Sequence, residues 1–258
     1  MKNINSYTQE QLIERFKEIK AMGWVENQRP NNHGGVGNTL EDLLGIGENN
    51  LSAPDVAEWE LKAQKGGTTS LVTLFHSEPH PRASKFVPAI LLPQYGWPHK
   101  SADKMSFRQT ISANTRSERG FTVVVNRNER KVMISFNAEN VHPKHRNWLK
   151  NVENKVGLDE LSPQPYWEFG DLDDKAGTKL LNVFYVRAKA KKTAGKEYYH
   201  YSSVLMLKGF SFDQFLLALD NGSIYVDFDA RTGHNHGTKF RLRENVLPKL
   251  YKSAAGVL

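Results

Sequence analysis

Trp59-Glu60-Leu61-Lys62 alternates apolar and charged residues, and this constrains the fold more than any other stretch. On a β-strand, successive side chains leave on opposite faces. Trp59 and Leu61 then anchor one face in a core, while Glu60 and Lys62 share the other. Pro54 fixes the backbone just ahead of Asp55, which can reach back to the charged face. Two carboxylates offer hard oxygen ligands to a divalent cation, and a neighbouring ammonium can hold a phosphate or orient a water. This is the layout a metal-dependent phosphodiesterase needs. The pattern is also short and degenerate. By themselves the same residues read more simply as a solvated strand edge with Lys62 paired to Glu60 or Glu58.

The elements around it read as mixed α/β, with strands in hairpins rather than a regular βαβ series. Residues 8–22 carry Leu12, Ile13, Phe16 and Ile19 at helical spacing, with Thr8 and Gln11 as a capping box and Gly23 as the stop. Residues 38–44 read as a short helix capped by Asn38 and stopped by Gly45. There Glu41, three residues after the cap, suits either the helix N-terminus or the site. Lys65-Gly66-Gly67 reads as a hairpin turn between strands 58–63 and 70–76. A second hairpin joins 121–125 to 132–136. Residues 142–165 are polar and read as the connection between two lobes, 1–150 and 151–258. Strands at 181–186 and 199–207, a helix at 212–219, a strand at 224–228, a basic loop at 231–236 and a last helix at 244–252 complete the chain.

The net charge of +7 and pI near 9.4 favour polyanionic partners, since each neutralised phosphate releases counterions. Acids gathered in one motif of a basic chain fit a nuclease, which attracts phosphate overall yet holds negative charge at its metal site. There is no cysteine, so disulfides and thiolate metal sites are excluded. No apolar run approaches a membrane span, and the N-terminal residues lack a signal-peptide stretch. A cytoplasmic protein is the expectation.

Several blocks together carry a family resemblance. Gly35-Val36-Gly37-Asn38-Thr39-Leu40-Glu41-Asp42-Leu43-Leu44 is followed by Glu48-Asn49-Asn50, Asp55, Glu60-Leu61-Lys62 and Leu71-Val72-Thr73-Leu74-Phe75-His76. Gly233-His234-Asn235-His236-Gly237 and Phe240-Arg241-Leu242 lie near the end. The set resembles the MvaI/BcnI type II restriction endonucleases and, more distantly, MutH-like mismatch-repair nicking enzymes. The region 79–167 matches poorly. The resemblance implies a restriction-endonuclease-like PD-(D/E)XK core with two lobes flanking a DNA cleft. It implies Asp55 and Glu60 as Mg²⁺ ligands, Lys62 as the catalytic lysine and Glu41 as an extra acid. It further implies a monomer that nicks the two strands of a CC-x-GG type site in turn, with a companion DNA methyltransferase in the cell.

Duplex sequence is read mostly in the major groove by arginine, lysine and other polar groups. Residues 231–241 are dense in them: Arg231, His234, His236, Lys239 and Arg241. Alone, this stretch also reads as a mobile basic loop. The His234 and His236 pair suggests zinc, but no third ligand is apparent. With the resemblance, His76 is a candidate contact to the central base pair, and Arg116 and Arg119 candidates for phosphate or minor-groove contact. The competing readings are a partner-dependent nicking enzyme and a DNA-binding protein without catalysis.

Overall fold

A computed structural model describes residues 7–30, 34–46, 58–82, 85–100 and 103–258. Asp55 lies outside the described residues. The elements run α1 (Gln9–Ala21), β1 (Val25–Glu26), α2 (Gly35–Leu44), β2 (Glu60–Lys65) and β3 (Val72–His76). A π-helical turn, Val87–Leu91, leads into α3 (Leu92–Tyr95), then β4 (Trp97–Pro98), β5 (Met105–Ile111), β6 (Arg119–Asn126) and β7 (Lys131–Val141). Next come α4 (Arg146–Val156), β8 (Tyr166–Glu168), α5 (Phe169–Leu180), β9 (Asn182–Thr193) and β10 (Lys196–Phe210). The chain closes with α6 (Phe212–Asp220), β11 (Ile224–Arg231), β12 (His234–Leu242), a 3₁₀ stretch Glu244–Leu250 and β13 (Tyr251–Gly256). The fold is mixed α+β.

Two compact units form, each from separate segments. The first takes residues 1–70, 177–211 and 248–258, the second 71–176 and 212–247. This is not a division at residue 150. The expected linker 142–165 contains helix α4, whose Trp148 and Val152 are buried. Only this pair, one helical turn apart, faces a core, so the polar remainder hides the helix in the sequence.

The first unit is built on the sheet β1-β10-β9-β2, with β13 also paired to β10. One face is covered by Leu12, Phe16 and Ile19 of α1 and by Leu40 and Leu44 of α2. These pack with Trp59, Leu61, Phe184, Val186, Tyr199 and Val204. The Trp59 and Phe184 rings lie 4.3 Å apart. Helix α1 keeps the expected capping box, with Thr8 and Gln11 each bonding the other's backbone N–H. Gly35 admits no side chain, since an added Cβ would sit 2.7 Å from the Tyr199 hydroxyl. This close approach seats α2 on the sheet.

The second unit holds the sheet β3-β12-β11-β5-β4 and the smaller sheet β6-β7-β8. Phe107 packs on Phe121 and Phe228 with centroids 5.6 and 5.4 Å away. Phe240 stacks on Phe75 at 5.0 Å. The expected hairpin of β6 and β7 is present, with Val125 opposite Val132.

Four expectations give way. β2 and β3 do not form a hairpin: β2 pairs in parallel with β9, and β3 pairs with β12. The Gly66-Gly67 turn exists, but the strands on either side belong to different sheets, a tertiary choice that local turn chemistry does not encode. Helix α2 starts at Gly35 with Gly34 as its cap. Asn38 is therefore interior and Glu41 stands in the second turn, away from the N-terminal amides. The 231–236 stretch is a tight turn at Thr232-Gly233, with Arg231 paired to His234 and Gly233 at φ 75°. The last helix is a 3₁₀ stretch followed by β13. Pro248 lacks the N–H an α-helix would use there, and Tyr251 onward pairs with β10.

Candidate active site

The parallel register of β2 and β9 sets the charged face of the first unit. Glu60 lies beside Val183, Lys62 beside Tyr185 and Gln64 beside Arg187. Because Leu61 and Phe184 point into the core, Glu60 and Lys62 point the other way together, as the alternation predicts. The Lys62 ammonium is 3.4 Å from Glu60 Oε1, and both side chains are only 11% exposed. A second ammonium, that of Lys179 near the end of α5, lies 3.5 Å from Glu60 Oε2. The Tyr185 hydroxyl donates to Gln64 Oε1 at 2.9 Å. Burial, and then the charge of Glu60, push the Tyr251 hydroxyl well above its ordinary pKa. Tyr251 therefore stays neutral beside the acid.

A nearly buried carboxylate is costly unless paired, and here two ammonium groups provide the pairing. The same positive charge could come from a divalent cation, for which a carboxylate oxygen is a hard ligand of the right kind. Among the described residues, no group of three or more His, Asp or Glu side chains is placed to hold a metal ion. Asp55, the second expected ligand, is not among them. Glu41 is half-buried on α2. That helix packs through Leu40 and Leu44 with Trp59 and Leu61, the face of β2 opposite Glu60.

The expected DNA-facing residues sit in the second unit. His76 is exposed at the end of β3, across from Lys239 on β12. Lys239 lies 3.3 Å from Asp229, and Arg241 lies 2.9 Å from Asp227 and donates to the Leu71 carbonyl at 3.0 Å. His234 and His236 are exposed, their ring centroids 4.0 Å apart. His236 lies in a bulge of β12. Glu78 pins that bulge by accepting from the Thr238 amide at 3.0 Å and its hydroxyl at 3.1 Å. Arg231 and His234 line a cavity of about 730 Å³ together with Arg82, Lys85, Phe86 and Met105.

Arg116 and Arg119 are held within their own unit. Arg116 donates to the Gly120 carbonyl at 2.8 Å. The Arg119 guanidinium lies 3.9 Å over the Trp97 ring and 5.5 Å over that of Trp148. Burial lowers its pKa from the ordinary arginine value.

Sequence reasoning passed over Lys179, Arg108, Asp227 and Asp229. Arg108 lies 2.7 Å from Asp229, and the Thr110 hydroxyl donates to Asp227 at 2.9 Å. Burial raises the Asp229 pKa, but Arg108 and Lys239 outweigh it, and the carboxyl ends below its usual range. The alternation Val226-Asp227-Phe228-Asp229 was a usable signal for the two aspartates. Lys179 had none, because only the tertiary fold brings α5 to Glu60.

The family model of the MvaI/BcnI restriction endonucleases matches residues 13–251. The structure is similar to that of restriction endonuclease MvaI in complex with its cognate DNA substrate, with TM-score 0.80 and 24% identity over 98% of this chain and 100% of that one. It also matches MvaI in the absence of DNA, with TM-score 0.53 and 24% identity over 96% and 98% of the two chains. These likenesses share the fold. No curated protein sequence matches the chain.

Proposed function

The chain belongs to the MvaI/BcnI restriction endonuclease family, and on that premise we propose that it cuts double-stranded DNA at a short pseudopalindromic CC-x-GG type site. It is a type II site-specific endonuclease. In the proposed reaction it uses Mg²⁺, acts as a monomer, nicks the strands one after the other and leaves 5′-phosphate and 3′-hydroxyl ends. A companion methyltransferase protecting the cell's own sites is the partner this activity requires. The carrying observation is the single row of Glu60 and Lys62, nearly buried and facing away from the core.

Glu60, with Asp55, would hold the divalent cation, which when bound supplies Lewis-acid polarisation of a phosphate oxygen. Lys62 places a charged donor on the same face. There it orients the attacking water or stabilises negative charge gathering on the phosphate. Lys179 positions Glu60 from the opposite oxygen. Water attacks phosphorus in line, the bond to the 3′-oxygen breaks, and the proton leaves with that oxygen.

In the second unit we assign base reading to the polar side of β11 and β12. Arginine and lysine suit guanine, and carboxylates suit the cytosine amino group. Arg231, His234, His236, Lys239 and Arg241 are the proposed contacts. Arg116 and Arg119 remain proposed for phosphate or minor-groove contact rather than base reading.

Digesting a plasmid in Mg²⁺ and sequencing the ends tests the reading. Discrete linear fragments ending at CC-x-GG sites are expected. Persistent open circles would instead favour a partner-dependent nicking enzyme, and binding without cleavage across several divalent ions a non-catalytic DNA-binding protein. For His76, alanine should alter preference at the central base pair more than the overall rate. An unchanged profile on a panel of site variants would remove His76 from that role.

A further inference from the structure

The cavity beside the β11–β12 hairpin is lined wholly by residues of the second unit. Its volume of about 730 Å³ is that of a small-molecule site. The floor is apolar. Phe86 and Leu92 are buried there, and Met105 and the rings of Pro79, Pro88 and Pro93 extend it. The hairpin tip is tied to the start of β5 beside it. The Thr232 amide donates to the Met105 carbonyl at 2.9 Å, and the Met105 amide donates to the Thr232 hydroxyl at 2.9 Å. This wall of the cavity is therefore fixed by paired hydrogen bonds.

The rim is cationic, formed by Arg82, Lys85, Arg231 and His234. Arg82 is taken up by Asp171 at 2.8 Å. Among the described residues Glu78 is the one acid of the lining. Thr238 engages both of its oxygens, with the amide at 3.0 Å and the hydroxyl at 3.1 Å. Among the described residues no carboxylate pairs with Lys85 or Arg231. An apolar floor under two uncommitted cations suits a flat ring that carries a phosphate. A phosphate monoester brings up to about two negative charges, and a guanidinium fork matches its oxygens.

We propose that this cavity binds a free mononucleotide, its heterocycle over Phe86, Leu92 and Met105 and its phosphate between Lys85 and Arg231. Charge complementarity places the phosphate, and the apolar floor places the ring. The site meets the endonuclease reading at Arg231 and His234, which are also proposed to contact DNA. A bound nucleotide and the duplex therefore compete for those two side chains, and the nucleotide inhibits cutting. Only this competition rests on the endonuclease reading; the binding itself does not.

The test titrates the full-length protein by calorimetry, without DNA and in excess chelator. The probes are each deoxynucleoside 5′-monophosphate, the matching nucleosides and inorganic phosphate. At least one nucleotide should bind saturably with Kd on the order of 10 to 100 μM. Its nucleoside and inorganic phosphate should each bind at least about tenfold more weakly. Lys85→Gln should weaken the nucleotide about tenfold yet cut plasmid at the wild-type rate when nucleotide is absent. Lys85→Arg, which keeps the charge, should retain most of the affinity. Met105→Glu, which sets an acid in the cavity wall, should abolish binding. In plasmid digestion the nucleotide should inhibit, and excess duplex should relieve it.

The site is overturned by an absence of saturable binding for every nucleotide, or by nucleoside or inorganic phosphate binding as tightly as the nucleotide. Unchanged affinity in both Lys85→Gln and Met105→Glu overturns it as well. Inhibition that excess duplex does not relieve overturns the competition. A wild type that binds a nucleotide but cuts no plasmid supports the site and removes the endonuclease reading, so the two fail separately.

Discussion

Replacing Glu60 with glutamine should abolish cleavage while leaving duplex binding within a few-fold of wild type. The substitution keeps the volume of a side chain that is 11% exposed, so packing changes little. It removes the negative charge that Lys62 and Lys179 now balance from either side, and with it a hard ligand for the cation. Loss of at least about 1,000-fold in single-turnover rate is expected, on the order of 4 kcal/mol of transition-state stabilisation. Glu60→Ala should be equally inactive and also less stable, by roughly 3–5 kcal/mol, because the Lys62 and Lys179 ammonium groups would each lose a carboxylate partner. Asp55→Ala should match the glutamine variant in losing cleavage and keeping binding. Full activity in any of these, or cutting in excess chelator, would refute the assignment. A parallel loss of duplex binding would mean that Glu60 holds the fold rather than the reaction.

The second large effect separates the two lysines. Lys62 shares the strand row of Glu60, whereas Lys179 arrives from α5 and meets the other carboxylate oxygen. If Lys62 acts on the water or the phosphate, Lys62→Ala should slow single-turnover cleavage roughly 100- to 1,000-fold, the range seen for removal of one transition-state donor. Arginine at 62 should not restore it, since a planar fork does not replace a compact ammonium. Lys179→Ala, which removes a partner of Glu60 rather than a group proposed to act on water or phosphate, should cost less than about tenfold. Rate measurements at saturating enzyme distinguish these from binding effects. Equal losses in both variants would mean that the pair serves mainly to neutralise the acid.

The contrast between these lysines also shows what sequence could and could not reveal. Glu60 and Lys62 were legible because strand alternation is a local property, and Trp59 and Leu61 state which face is inside. The capping box of α1 was legible for the same reason. The partner of β2 was not. A Gly-Gly turn announces a reversal, but only tertiary packing chose β9 over β3. Helix α2 was misplaced by three residues because Asn38 is a good cap in isolation. The approach of Gly35 to Tyr199, at the true start, involves residues 164 positions apart. Lys179 depends on where α5 packs against β2, and no local pattern encodes that.

The proposed reaction depends on Asp55 and Glu60 holding a divalent cation. Iron(II) in place of magnesium, with ascorbate and peroxide, generates hydroxyl radicals that cut the polypeptide beside the bound ion. Mapping those cuts by mass spectrometry reads the site directly and without any DNA. Cleavage is expected only in the segments around residues 55 and 60, suppressed by excess Mg²⁺ and missing in Asp55→Asn. Cuts clustered instead at His234 and His236, or none above background, would contradict it.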